Sequence, residues 1–302
     1  MHTTSIKPLK FTLFTMALLF MSMITGCQNS DNPVNPDNRT TVVDDAAESV
    51  ANALATNHGG TFDQMNDIMI ISSVAGLQNE AGAISDIHAD DSSIHSVSKT
   101  YDPVTGWWTL TLSRQRFDDF GYAEMHREYQ YQFLNSNGNF QQYWLTGSDT
   151  AHSLHFKIIS GSGERHTMRF AHHLVSLSSE WMVTGINTNI ITINTVNNGA
   201  YTRVGSDTMK TLNALRTLNH TLTMTFNNVT GPRTTRLHLA EKTSGTITGT
   251  YHADITFTRG ELYTEKTIDK TFTITFGGDG TTHLYMGGRR FMVDPVLGRI
   301  IR

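Results

Sequence analysis

Two periodicities divide this chain near residue 94. Downstream, apolar residues alternate with polar ones. Leu222, Met224 and Phe226 alternate with Thr221, Thr223 and Thr225, and Phe272, Ile274 and Phe276 alternate with Thr271, Thr273 and Thr275. Successive side chains on a strand point to opposite faces, so the pattern describes a sheet with one apolar and one wet face. Upstream the period is helical. Ala47, Val50, Ala51 and Leu54 fall on one face, Asp45 with Glu48 forms a capping-box pattern, and Gly59 is a fitting stop. Thr61 and Gln64 repeat the capping pattern ahead of Met65, Ile68, Met69 and Val74. Two helices are predicted, over 45–57 and 62–77, with their apolar sides covering one face or end of the sheet. Residues 80–93 are polar and read as loop.

The turns carry the topology. Asp102-Pro103-Val104-Thr105-Gly106 and Asp294-Pro295-Val296-Leu297-Gly298 share one design. Asp opens the turn, Pro presets φ at the next position, and Gly accepts the positive φ that closes the hairpin. Asn137-Gly138, Asn197-Asn198-Gly199 and Gly277-Gly278-Asp279-Gly280 mark further turns, and Ser160-Gly161-Ser162-Gly163 reads as a hairpin tip. Short connections imply that sequence neighbours pair antiparallel. The expected fold is mainly β: an antiparallel meander forming a curled sheet or a β-sandwich, with two short N-terminal helices. A closed, ligand-holding barrel is the alternative. A faint echo links 109–144 with 255–286, each placing a Tyr two residues before a Glu at the start of its long strand (Tyr122 and Glu124, Tyr263 and Glu265).

The first 27 residues speak about address rather than fold. Lys7 and Lys10 precede an apolar run from Phe11 to Ile24, which ends in Ile24-Thr25-Gly26-Cys27. The run has the length of a secretory core, roughly 7–15 residues, and falls short of the ~20 needed to span a bilayer. The tetrad resembles the lipobox of bacterial lipoproteins. That resemblance implies diacylation of the Cys27 thiol, cleavage before Cys27 and acylation of the new amino terminus, with palmitate-like chains as the membrane anchor. One acyl chain binds a membrane only marginally, whereas the three implied here suffice. Gln28 stands where an Asp would retain a Gram-negative lipoprotein at the inner membrane, which favours the outer membrane. The resulting division is a signal peptide over 1–26, an anchor and polar tether over 27–43, a helical segment over 44–93 and an antiparallel β domain over 94–302.

Charge and cysteine content narrow the partners. Loss of the leader's two lysines takes Lys+Arg from 23 to 21 against 27 Asp+Glu, so the formal charge of −4 becomes −6. An acidic body without a basic cluster argues against nucleic acid. Cys27 is the only cysteine, so acylation leaves no thiol for a disulfide, a cysteine zinc site or a nucleophile. The alternates on the strands are Thr, Arg, Lys and Glu, unlike the lipid-facing band of an outer-membrane barrel.

The residues offer little catalytic chemistry. His152 with His155, and His172 with His173, point to opposite strand faces, and no HExxH occurs, so exposed sheet-face histidines are expected and no metal or cofactor is assigned. A Gly-x-Ser-x-Gly elbow and a Walker A loop are missing. Glu124 and Glu128 would stand about 13 Å apart along a strand, beyond the roughly 5–9.5 Å of a glycosidase pair. Thr-x-Thr runs resemble the faces of some ice-binding proteins, but the flat repeats those faces need are lacking. Aromatics are the stronger candidates. Trp107, Trp108, Tyr143 and Trp144 concentrate in the first meander, and an exposed row of them would suit a glycan or an apolar ligand. Three readings stay open. The first is a non-catalytic envelope lipoprotein that binds a partner protein or polysaccharide. The others are a carrier for a lipid-like ligand and an envelope hydrolase with an unrecognised site.

Overall fold

A computed structural model describes residues 39–55, 59–72, 94–118, 121–211, 213–233 and 242–301. The helical region becomes α1 (Arg39–Leu54) and α2 (Thr61–Ile71). α1 begins ahead of Asp45 and reaches into the segment expected to be tether. Asp45 is therefore not its cap and instead pairs with Arg216. The helix ends at Leu54, short of 57, because the chain turns sharply. Gly59 adopts φ +63, a left-handed conformation, and the Gly60 N–H donates to the Ala55 carbonyl at 2.8 Å. Gly60 opens α2 without a side-chain cap, and Gln64 Nε2 donates to the Gly59 carbonyl at 3.0 Å. α2 closes at Ser72. The expected continuation to 77 and the loop over 80–93 lie outside the described residues.

Among the described residues the alternating region forms sixteen strands. They are β1 (Ile94–Asp102), β2 (Trp107–Asp118), β3 (Gly121–Leu134), β4 (Phe140–Gln141), β5 (Leu145–Thr146), β6 (Asp149–Thr150), β7 (Ser153–Thr167) and β8 (Phe170–Thr184). They continue with β9 (Ile190–Thr195), β10 (Tyr201–Lys210), β11 (Leu215–Pro232), β12 (Ser244–Arg259), β13 (Leu262–Gly277), β14 (Thr282–Met286), β15 (Arg289–Asp294) and β16 (Arg299–Ile301). All but β5 and β6 belong to one 14-stranded sheet, in the order β1-β2-β3-β7-β8-β10-β11-β12-β13-β14-β15-β16. β4 pairs with β3, and β9 pairs with β8 and β11. The pairings are antiparallel, as the short turns require. The two Asp-Pro turns match each other in detail. Asp102 Oδ1 accepts from the Val104 N–H at 2.9 Å and Asp294 Oδ1 from the Val296 N–H at 3.0 Å, while Gly106 (φ +75) and Gly298 (φ +66) close the hairpins.

One expected hairpin tip is not a reversal. Ser160-Gly161-Ser162-Gly163 lies inside the 15-residue β7, at a bulge where the register against β3 shifts between Glu128 and Tyr129. A Cβ on Gly163 would stand 2.4 Å from the Glu124 carbonyl oxygen, so these glycines permit close backbone approach rather than a reversal.

The sheet is curled. β2 and β13 are seven places apart in the order, about 34 Å if the sheet were flat. Yet the short α2 touches both: Asp63 and Asp67 bind Arg114 of β2, and Phe62 meets Phe276 of β13 edge-on at 5.5 Å. β1 and β16 end the order unpaired with each other, so among the described residues the curl is open rather than a closed barrel. The two helices sit in its concave side. α2 is buried on nearly every side, with Phe62, Met65, Ile68 and Ile71 at 3 % exposure or less. The concave face supplies the rest of the core, including Tyr129, Tyr131, Phe133, Phe156, Trp181, Tyr201 and Phe226. Its convex face is wet. Ser178, Thr202, Thr223, Thr250 and Thr271 fall into one register row across β8, β10, β11, β12 and β13.

Candidate functional site

The four aromatics singled out by sequence do not form one site. Alternation sends Trp107 and Trp108 to opposite faces. Trp108 is buried on the concave side, where its indole N–H donates to the Gln142 carbonyl at 2.6 Å and its ring neighbours Tyr131 and Tyr143. Tyr143 packs half-buried on the same core. Trp144 lies elsewhere, donating to the Ile186 carbonyl at 3.1 Å beneath the Arg233 guanidinium. These three are explained by packing. Cys27 lies outside the described residues.

Trp107 faces out and has polar company. Its ring lies 5.0 Å from the His155 ring, with the Lys157 ammonium 4.7 Å from its centroid. His155 Nε2 meets Glu180 Oε1 at 2.6 Å, and the same oxygen accepts from Asn197 Nδ2 at 3.1 Å. Asn197 reaches it from the β9–β10 turn, where Asn197 and Asn198 both take positive φ. Partial burial works to raise the Glu180 carboxyl, but the bonds from Asn197 and His155 and the charge of Lys157 hold it below its ordinary range. The result is a half-buried indole on the outer face, flanked by the Lys157 ammonium, beside an ionised carboxylate, an amide and an imidazole.

Two further clusters are buried, and both fasten a helix to the concave face. The first clamps α2. Arg114 of β2 binds Asp63 at 3.1 Å and also binds Asp67. Arg127 of β3 binds both carboxylates at 2.9 Å and donates to the Gly59 carbonyl at 2.9 Å, and the Tyr129 hydroxyl donates to Asp67 at 2.7 Å. Two cations meet two anions with at most 10 % exposure of any side chain. Burial would strip protons from both guanidiniums. For Arg114 the facing carboxylates, and for Arg127 Tyr129 followed by the same carboxylates, more than reverse this and raise both.

The second cluster lies under α1. Ser49 of α1 donates to Asp207 Oδ2 at 3.4 Å. Asp207 Oδ1 meets His172 Nδ1 at 2.6 Å, and Arg203 Nη2 meets His172 Nε2 at 2.8 Å. A guanidinium can only donate, so Nε2 is the bare nitrogen and the ring's single proton is on Nδ1, given to Asp207. His220 stacks between His172, at 6.1 Å, and Tyr251, at 5.8 Å, with Nδ1 3.6 Å from Asp207. Gly205 makes room for the imidazoles. A Cβ there would stand 3.3 Å from both His172 Cε1 and His220 Nε2. Burial lowers the His172 imidazole and pushes His220 down to about 4, against the pull of Asp207. Burial also works to raise Asp207, but the His172 bond, the imidazoles of His172 and His220 once they take a proton in acid, and the Arg203 charge hold it low.

The expectation of exposed histidines holds for His152, His166 and His173 and is corrected for His172, which faces inward with His220. The signal was phase. His220 falls on the same alternate as Leu218, Leu222 and Met224, and Arg203 and Asp207 on that of Tyr201. A polar residue in the apolar phase of a strand must be buried with a partner. Which partner is invisible locally, because the contacts join residues up to 158 positions apart.

Among the described residues no group of three or more His, Cys, Asp or Glu side chains can hold a metal ion. No helix there is long and apolar enough to cross a membrane. No protein family, curated protein or solved structure matches this chain.

Proposed function

We propose that this chain is a lipid-anchored bacterial envelope lipoprotein whose β body is a non-catalytic binding module, engaging a polysaccharide with its convex face. The observation that carries this reading is the occupied concave side. The chain's own α2 fills it, and the charges buried there are spent on one another, which leaves the wet convex face as the surface free to meet a partner. The Ile24-Thr25-Gly26-Cys27 segment supports the anchor. On the convex face, Trp107 with Glu180, His155 and Asn197 combines a flat apolar plate with hydrogen-bonding groups. Sugar rings present the complementary pair, an apolar C–H face and a rim of hydroxyls.

Two measurements test it. Cys27→Ser should move the protein from the detergent phase to the aqueous phase, and retention in detergent at the same processed size would defeat the anchor. Isothermal titration of the protein against isolated envelope polysaccharide should show binding that Trp107→Ala weakens about tenfold, since a stacked aromatic contributes on the order of 1–1.5 kcal/mol. Equal binding by the variant would remove the convex patch from the account.

A second reading, a carrier for a lipid-like ligand, has one observation in its favour. Tyr131 Oη, Trp181 Nε1 and Tyr201 Oη are buried on the aromatic concave face with no hydrogen-bond partner, and a ligand carrying acceptors would satisfy them. Native mass spectrometry showing a co-purifying lipid would promote this reading over the first.

A further inference from the structure

We propose that the His172–Asp207–His220 network is an acid-operated latch that holds α1 on the sheet and lets it go while α2 stays clamped. The geometry makes the network intolerant of an added proton. A second proton on His172 can go only to Nε2, which already accepts from Arg203 at 2.8 Å, so two cationic donors would face each other. A proton on His220 creates a cation at 5 % exposure. Its nearest carboxylate, Asp207 at 3.6 Å, already accepts from His172 and Ser49. The other groups facing the pair do not rescue it. His173 on β8 points to the opposite face of the sheet, Arg203 on β10 adds positive potential, and Tyr251 on β12 is held protonated by burial. Asp45 of α1 is engaged by Arg216 of β11.

Water reaches these imidazoles if α1 lifts, because Ser49 seats the helix directly over Asp207. α1 is also the lightly held helix. Its buried side sets Val50 and Leu54 among the small Ala46, Ala47, Ala51 and Ala53, and so removes less apolar area than α2, which buries Phe62, Met65, Ile68 and Ile71. The Asp63–Asp67–Arg114–Arg127 clamp on α2 is built without an imidazole. Acid therefore acts on one helix and spares the other. The inference does not depend on the binding partner or the anchor.

Hydrogen exchange on the full chain in detergent tests it, comparing amides of 46–54 with those of 62–71 at pH 7.5 and 4.5 after correction for the intrinsic rates. A buried imidazole lowered from 6.5 to about 4 that recovers its ordinary value on opening favours the open form roughly 70-fold more at pH 4.5. The α1 opening constant should rise by tens-fold, and that of α2 by less than about twofold. Equal changes in both helices, or none in α1, would overturn the proposal. His220→Phe keeps the ring stack and cannot titrate, so the acid response of α1 should shrink several-fold. An undiminished response in that variant would overturn it as well. Should His220→Phe not fold, the comparison of the two helices in the unaltered chain decides the matter.

Discussion

The two helices are fixed to the same concave face by networks of different chemistry, and the difference separates permanent from conditional structure. Around α2, guanidiniums meet carboxylates. Arg114 and Arg127 keep their charge at any pH the fold survives, and their facing carboxylates raise them further. Around α1 the buried network turns on two imidazoles beside Arg203, and burial pushes those imidazoles toward the neutral form. Both arrangements bury polar groups, which is costly compared with an apolar core of the same shape. Each therefore reads as a device for placing a helix in one position. An isolated apolar helix face slides easily along an apolar sheet, whereas Asp63 and Asp67 can meet Arg114 and Arg127 in only one seat.

The largest effect should come from breaking the α2 clamp on one side. Asp67→Ala leaves Arg114, Arg127 and Tyr129 short of a shared acceptor and should cost about 3–5 kcal/mol in urea unfolding. Replacing all four charges together, with Leu for Asp63 and Asp67 and Met for Arg114 and Arg127, should cost less than that single change. A greater loss from the fourfold variant would show that the ionic pairs themselves stabilise the fold.

Acidification should be next. Because His220 is lowered on folding, its neutral form supports the fold fully above pH 6.5, and that support fades as pH falls toward 4. The loss amounts to about 3 kcal/mol at most. Asp207 is also held low, so its contribution persists through this window and fails only at lower pH. Urea midpoints measured between pH 7.5 and 4.5 should therefore fall in the unaltered protein and stay flatter in His220→Phe. Parallel slopes would contradict the assignment.

Smaller changes sharpen the picture at the edges. Gly205→Ala places a methyl 3.0 Å from the His173 carbonyl and 3.3 Å from two imidazoles, and should cost about 1–2 kcal/mol by thermal unfolding. Asp44→Ala removes a surface pair with Arg289, exposed by 32 % and 42 %, and should change stability by no more than about 1 kcal/mol. If Asp44→Ala proved as costly as Gly205→Ala, α1 would be held at its rim rather than at its latch.

Much of the architecture was legible because it is written in local chemistry. Period-two alternation in β11 and β13 gave the strands and their buried face. The Asp-Pro turns gave hairpins, since Asp102 and Asp294 each satisfy their own turn's backbone. The echo between meanders also has a physical counterpart: the Tyr122 and Tyr263 hydroxyls donate to Glu124 and Glu265 two residues on. Glycines were less legible. Gly161 and Gly163 resemble a reversal in sequence, yet their purpose is the approach of Leu177 and Glu124 on neighbouring strands. The polar residues of α2 carry no local signal of their place. Asp63 and Asp67 become interior only because the sheet curls round to bring Arg114 and Arg127 to them.

By itself, then, the sequence determined the strands, most reversals, the antiparallel order and the presence of two helices, because each rests on contacts within a few residues along the chain. Tertiary structure alone decided that the sheet curls about α2 and that His172, Asp207 and His220 meet beneath Ser49. Those outcomes depend on distant strands being carried round to one another, and the energy of burying a charge is set by neighbours that no short stretch of chain can name.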